Sequence, residues 1–449
     1  MINKEYKVHF KINWQIAYPL VLGQAGHMIT SIADTIMVGQ LGSTPLAAAS
    51  IAHSVFIVIF VFGLGITAAT TTISGKAYGE RNTGLLQSIF LNGLLTTVFF
   101  GLIIALIMYL TTFLFPYLKQ PPEVIALAVP YYKILILSWL PYFIFMHYKQ
   151  FVDGLTLTKP GMIIIVVCNI LNVFLNYGFI FGKMGFPELG LNGAAVATAI
   201  SRALMAISYV ILMRYSKTLR IYLKKMSLKF ISFERIKEFF KLGIPIGLQH
   251  ILEVGAFVVG ALMTGWLGAK QLAAYQIVMS LASLTFMMSS GISSTATIRI
   301  SNLLGERNFH RLKIAGFSAF YMVLAFMATT GIIFILGRYA IPSLYINEPD
   351  VIEIASKLMI IAGLFQIMDG TQVTAIGALR GLQDVNSPTF ISLLSYWLIT
   401  LPVACLLGIY LKMGAIGIWW GYLIGLLFAA VILTSRFLYL LKKLKKQLI

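Results

Sequence analysis

Cysteine and charge are scarce in this chain of 449 residues, and acids are scarcer than bases. The only cysteines, Cys168 and Cys405, both lie inside apolar runs. That placement excludes a disulfide framework and a thiolate metal centre, and reads as two buried small hydrophobes. Charged residues make up 11% of the chain, against about 25% in soluble domains. No GxxxxGK[ST] segment is present to cradle phosphates, which excludes direct energisation by ATP. Cys/His metal spacing and a nucleophile elbow are missing too, so the chain does not read as an enzyme and no resident cofactor is expected. The opening MINKEYKVHFK lacks a cleavable signal pattern, so the first apolar run is expected to remain as a helix.

What the chain has in abundance is apolar length. It is 59% hydrophobic with a mean hydropathy of +0.88. A helix of about twenty residues crosses a hydrocarbon core of about 30 Å. Such runs are read at 13–38, 47–75, 88–113, 127–149, 161–182, 191–213, 241–267, 274–298, 314–337, 352–379, 389–411 and 414–436. The expectation is an all-α polytopic membrane protein with twelve transmembrane helices.

The formal net charge of +19 would suit nucleic acid, but its distribution argues for topology instead. Cations gather in alternate loops: Lys4, Lys7 and Lys11; Lys76 and Arg81; Lys159; Arg299, Arg307, Arg311 and Lys313; Arg380. A central run holds Arg214, Lys217, Arg220, Lys224, Lys225, Lys229, Arg235, Lys237 and Lys241. The tail adds Arg436 and LKKLKK, a stop-transfer anchor for anionic headgroups. Opposite loops hold single cations such as Lys119, Lys183, Lys270, Arg338 and Lys412. Both termini are therefore expected in the cytoplasm, with the bilayer as partner and no nucleic acid.

The sequence also repeats itself. At the offset that carries Pro19 onto Pro245, Gly39 meets Gly265, Leu41-Gly42 meets Leu267-Gly268, Gly65-Ile66 meets Gly291-Ile292, and GERN at 79–82 meets GERN at 305–308. With small gaps Gly154-Leu155 meets Gly381-Leu382 and Pro160 meets Pro388. The expected domains are a six-helix lobe at 1–213, a cytoplasmic basic linker at 214–240, and a second six-helix lobe at 241–449. An even number of helices per half makes the repeat parallel, the design in which substrate binds between lobes that alternate access.

Three acids sit deep in apolar helices: Asp34, Glu253 and Asp369. A carboxylate at a helix centre costs about 2.5–3.5 kcal/mol on insertion scales, so each is a functional candidate before it is a structural one. At the helical rise, Glu253 lies roughly 18 Å beyond Lys241 and Asp369 roughly 17 Å before Arg380, which puts the pair at one depth. Asp34 ends a polar stripe of Gln24, His27, Ser31 and Asp34, and Asn169, Asn172 and Asn176 share a face of the fifth helix. A first-lobe site of Asp34, Asn172 and Asn176 is expected, with helix–helix hydrogen bonding as the alternative for the asparagines. His27 and His250 read as proton relays or as buried hydrogen-bonded histidines. Arg202 and Lys149 receive no role.

ADTIMVGQLGSTPLAAAS at 33–50, the two GERN segments, DGLTLTKP at 153–160, NVFLNYGFIFGKMGFPELGLNGAAVATAI at 172–200 and FQIMDGTQVTAIGALRG at 365–381 carry a resemblance over the whole chain. The sequence resembles the multidrug and toxic compound extrusion (MATE) family, its bacterial NorM-type branch above all. That resemblance implies a V-shaped pair of lobes, and an antiporter that expels cationic organic compounds against inward Na⁺ or H⁺ across the inner membrane. It also implies cation coupling at Glu253 and Asp369, with Na⁺ a possible ligand there, and a first-lobe site at Asp34, Asn172 and Asn176. NorM-type relatives often carry tyrosine where Phe365 stands, so one hydroxyl ligand is missing; Gln249, backbone carbonyls or water are the expected substitutes. The protein is expected to work as a monomer. A lipid-linked saccharide flippase of the same superfamily is the alternative function, though a pyrophosphate would favour cations where the deep charges are mainly acidic. A channel is disfavoured by the duplicated lobes.

Overall fold

The computed structural model describes residues 4–223 and 230–448, so Lys224, Lys225 and Lys229 of the basic linker lie outside the described residues. Every regular element among the described residues is helical. Twelve long helices follow in order: α1 Lys4–Gly39, α2 Ser43–Gly79, α3 Thr83–Thr111, α4 Pro122–Gly154, α5 Lys159–Phe181, α6 Leu191–Tyr215, α7 Phe233–Gly265, α8 Ala269–Gly305, α9 Phe309–Leu336, α10 Pro349–Gly381, α11 Asn386–Tyr410 and α12 Ala415–Leu448. Eleven of them are long and apolar enough to cross a bilayer. The remaining one, α1, has the length, and its polar stripe lowers its hydropathy. The helices outrun the apolar segments because their ends continue past the hydrocarbon region; α12, for example, carries the whole LKKLKK tail.

Local chemistry sets the boundaries. Proline opens α4, α5 and α10, where its missing N–H would have had no helical partner. Asn82 caps α3 by accepting from the Leu85 N–H at 2.9 Å, and Asn308 caps α9 by accepting from the Arg311 N–H at 3.1 Å. The two GERN segments thus do one job twice. Arg81 and Arg307 each take a φ of 54°, and Gly42 and Gly268 take φ of 113° and 109° before α2 and α8. That last conformation favours glycine, which has no Cβ to clash. In α11 the π stretches Leu393–Thr400 and Leu406–Tyr410 widen the turns on either side of Pro402.

Packing divides the chain into two compact units, one of Leu22–Gly247 and the other of Met1–Val21 with Leu248–Ile449. Both boundaries fall inside a helix, two residues after Pro19 and two after Pro245. Each unit therefore takes in the start of a helix from the other half of the sequence. In the first unit, Gly65 of α2 lets the early part of α7 approach so closely that a Cβ there would stand 2.2 Å from the Gly247 nitrogen. In the second, its repeat partner Gly291 does the same for the early part of α1, where a Cβ would meet the Val21 nitrogen at 3.0 Å. Asn13 of α1 donates to the Ala315 carbonyl of α9 at 3.1 Å, and Arg299 of α8 donates to His9 at 3.0 Å.

One helix lies at the centre of each unit. In the first, α4 packs on α2, α3 and α6; in the second, α10 packs on α8, α9 and α12. The core around α4 is aromatic, with Trp139 and Phe143 fully buried and their rings 4.4 Å apart. Cys168 is buried and Cys405 half-buried, and both are free thiols.

Candidate functional site

Glu253 and Asp369 both belong to the second unit, on α7 and α10, and both are buried at 6% and 2% exposure. Their charges are within electrostatic range of each other and of the Tyr396 ring. Gln372 Nε2 donates to the Tyr396 hydroxyl at 2.9 Å, and that hydroxyl can donate to Glu253 Oε1 at 3.3 Å or back to Gln372 Oε1 at 3.1 Å. Asp369 Oδ2 is buried and has no hydrogen-bond partner among the described residues. The Gln366 amide, one turn earlier on the same helix, is likewise buried and unpartnered among them. A buried carboxylate oxygen without a donor is costly unless something positive completes it. These acids present hard oxygens, the ligand type that alkali and alkaline-earth cations favour over sulfur or nitrogen.

The hydroxyl at this site comes from Tyr396, not from the position of Phe365. Phe365 is buried against Trp419, with ring centroids 5.4 Å apart and ring planes 65° apart. Tyr396 went unnoticed in the sequence; the signal was the Ser395-Tyr396 polar pair inside an otherwise apolar run. Gln249 lies nearby on α7, and its Oε1 accepts from Arg380 at 3.0 Å.

Arg380 closes α10, but its guanidinium lies partly buried rather than in the loop that its sequence position suggests. It also donates to His250 Nε2 at 3.4 Å. Gln249, His250 and Glu253 of α7 line a cavity of about 50 Å³ together with Arg380 of α10 and with Ser290 and Ser294 of α8.

In the first unit the structure brings Asp34, Asn172 and Asn176 together. Asn176 Nδ2 donates to Asp34 Oδ1 and also reaches Asn172 Oδ1 at 3.2 Å. Asn172 and Asn176 are buried while Asp34 is half-buried, so the carboxylate is the exposed end of the network. Asn169 packs beside Gly26, where a Cβ would stand 3.3 Å from its Nδ2. His27 stacks edge-on to Tyr142 at 6.5 Å.

The two basic residues without a sequence role have clear surroundings. Arg202 donates to Ser138 Oγ at 2.7 Å, and its guanidinium lies 5.0, 5.4 and 5.7 Å from the ring centres of Tyr142, Phe56 and Phe60. Lys149 donates to Asp153 Oδ2 at 2.6 Å across one helical turn, in a largely buried ion pair.

The family model MatE matches this chain twice, over residues 19–178 and 245–406. This protein belongs to the MatE family. The two matches begin at Pro19 and Pro245, so the MatE unit is the sequence repeat itself. The chain is 33% identical to the probable multidrug resistance protein NorM of Rhizobium meliloti (strain 1021), over 98% of this chain and 96% of that one. It is 31% identical to the multidrug resistance protein NorM of Photobacterium profundum, over 94% and 93%. Among solved structures it is similar to a eukaryotic MATE transporter, AtDTX14, with a TM-score of 0.88, 22% identity and coverage of 99% and 100%. A multidrug resistance MATE family transporter in an outward-facing conformation gives a TM-score of 0.89 at 19% identity, over 98% and 97%. MatE proteins are transporters, and this one is a multi-pass membrane protein.

Proposed function

We propose that this MatE protein is a multidrug exporter that expels small organic cations from the cytoplasm in exchange for an inward monovalent cation. The observation that carries the reading is the Glu253–Asp369 pair, two buried carboxylates from different helices with one oxygen left without a donor among the described residues. Such a pair is stable when a cation or a proton completes it, and exchange needs that dependence. The named relatives are multidrug resistance proteins of bacteria, which supports the cargo and the inner membrane as the location. Asp34 with Asn172 and Asn176 forms a second acidic site that suits a cationic cargo. The alternation of cations along the chain supports cytoplasmic termini.

Na⁺ is the favoured coupling ion and H⁺ the alternative. The Tyr396 hydroxyl supplies the oxygen that Phe365 does not, and a hard cation wants several oxygens. A lipid-linked saccharide would bring a pyrophosphate. Arg380 lines the second-unit cavity, but Glu253 lines it as well and would repel phosphate. Efflux of ethidium from proteoliposomes under an imposed inward Na⁺ gradient at fixed pH, and then under a pH gradient without Na⁺, tests the reading. Glu253→Gln and Asp369→Asn should each abolish gradient-driven efflux at matched protein level. Wild-type efflux by both variants would remove the pair from coupling.

A further inference from the structure

Among the described residues, Arg380 is the only lysine or arginine lining the second-unit cavity, and Glu253 is its only acid. The two face the same space, yet no ion pair joins them among the described residues. The groups that do hold Arg380 are uncharged. Gln249 is an amide, and His250 accepts the guanidinium N–H on a ring nitrogen that carries no proton. Arg380 Nε is buried without any partner among the described residues. Asp384, the next acid along the chain, is taken by Arg436 at 2.9 Å.

The sequence repeat sharpens the contrast. With Gly154 on Gly381, the counterpart of Arg380 is Asp153, and Asp153 is neutralised by Lys149 one turn away. The first half closes its inner charge locally, whereas the second half leaves a guanidinium in one cavity with Glu253. A guanidinium keeps its charge at any pH the cell reaches. A buried charge held only by neutral groups needs a countercharge; Glu253, which lines the same cavity, is the one in reach among the described residues, and Asp369 acts in turn on Glu253.

We infer that Arg380 is the fixed countercharge that limits the Glu253–Asp369 pair to one monovalent cation. The inference rests on the proposed coupling role of that pair. Two carboxylates and one guanidinium leave a single negative charge, and one Na⁺ or one proton neutralises it. Without Arg380 the set holds two negative charges and takes two cations. Without one carboxylate the set is already neutral and draws in none. Loss of coupling in Asp369→Asn then follows from charge balance, and removing the opposing charge as well should restore it.

The test is ethidium efflux from proteoliposomes carrying wild type, D369N, R380Q, R380K and the double variant R380Q/D369N. D369N should lose gradient-driven efflux, and R380Q/D369N should regain it at least about tenfold over D369N, since an unscreened unit charge near the site is worth that much or more at an effective dielectric of about 20. Wild type and R380K should exchange one cation for one ethidium and ignore a potential imposed with valinomycin and K⁺. R380Q should take two, so an inside-negative or inside-positive potential should change its rate. A merely structural arginine would not let its own removal rescue a second lesion. A double variant no better than D369N, with R380Q still indifferent to potential, overturns the inference. Should the double variant fail to accumulate, the potential response of R380Q decides alone. Undiminished coupled efflux in E253Q and D369N would instead remove the coupling pair, a different failure that takes this inference with it.

Discussion

The Tyr396 hydroxyl, on α11, lies 3.3 Å from Glu253 Oε1 on α7 and is itself held by Gln372 on α10, so three helices meet at one carboxylate. Hydrogen bonds to a charged acceptor contribute about 1.5–3 kcal/mol, which corresponds to tenfold or more in an equilibrium constant. Tyr396→Phe keeps the ring and removes only the donor. The cation concentration that half-saturates efflux should shift by about tenfold, with protein level unchanged. An unaltered cation dependence would leave Tyr396 as packing alone.

Asp34 is held by a single described donor, Asn176, and is the exposed end of its network. Asp34→Asn removes the charge and should impair drug efflux. Asn176→Ala removes the donor but keeps the charge, and should slow efflux less. Equal, wild-type rates in both would make Asp34 a structural acid.

Gly65 and Gly291 are repeat partners with different clearances. A Cβ at Gly65 would stand 2.2 Å from backbone, a distance that no small shift relieves, whereas at Gly291 the nearest atom is at 3.0 Å. Gly65→Ala should therefore lower the melting temperature far more than Gly291→Ala. Overpacking costs typically about 1–3 kcal/mol, and the Gly65 variant should reach or exceed the upper end. Thermal unfolding in detergent, followed by tryptophan fluorescence, reads the difference; a reversed order would contradict the packing described for α2 and α7.

Cytoplasmic placement of the basic segment between α6 and α7 predicts the labelling of a single cysteine introduced there. In a background where Cys168 and Cys405 are replaced, Thr218→Cys should react with a membrane-impermeant thiol reagent only in inverted vesicles. Reaction in intact cells would reverse the orientation.

The long apolar runs and the paired glycines and prolines made the helices and the duplication legible from the residues alone. Asp34, Asn172 and Asn176 were legible as a cluster because polar side chains at helical spacing stand out against an apolar background. Tyr396 and Arg380 were not. A tyrosine in a membrane helix looks like any aromatic, and an arginine at a helix end looks like a topological marker. Only the direction of each side chain shows that one reaches Glu253 and the other lines its cavity. The exchange of helix starts was also hidden, because a sequence is read in order while packing is not.

That exchange has a consequence for how the protein is made. Asn13 is bonded to a carbonyl 302 residues later, and His9 to a side chain 290 residues later. These residues of α1 leave the ribosome long before their native neighbours, and contacts so distant in sequence are slow to form. Neither unit is complete within one half of the sequence: the first, Leu22–Gly247, runs into the start of α7, and the second joins Met1–Val21 to Leu248–Ile449. A protein severed between α6 and α7 should therefore gain stability only when both pieces are made in the same cell, each lending the other the opening turns of a helix. Recovery of equally stable pieces expressed separately would show that these opening turns are dispensable.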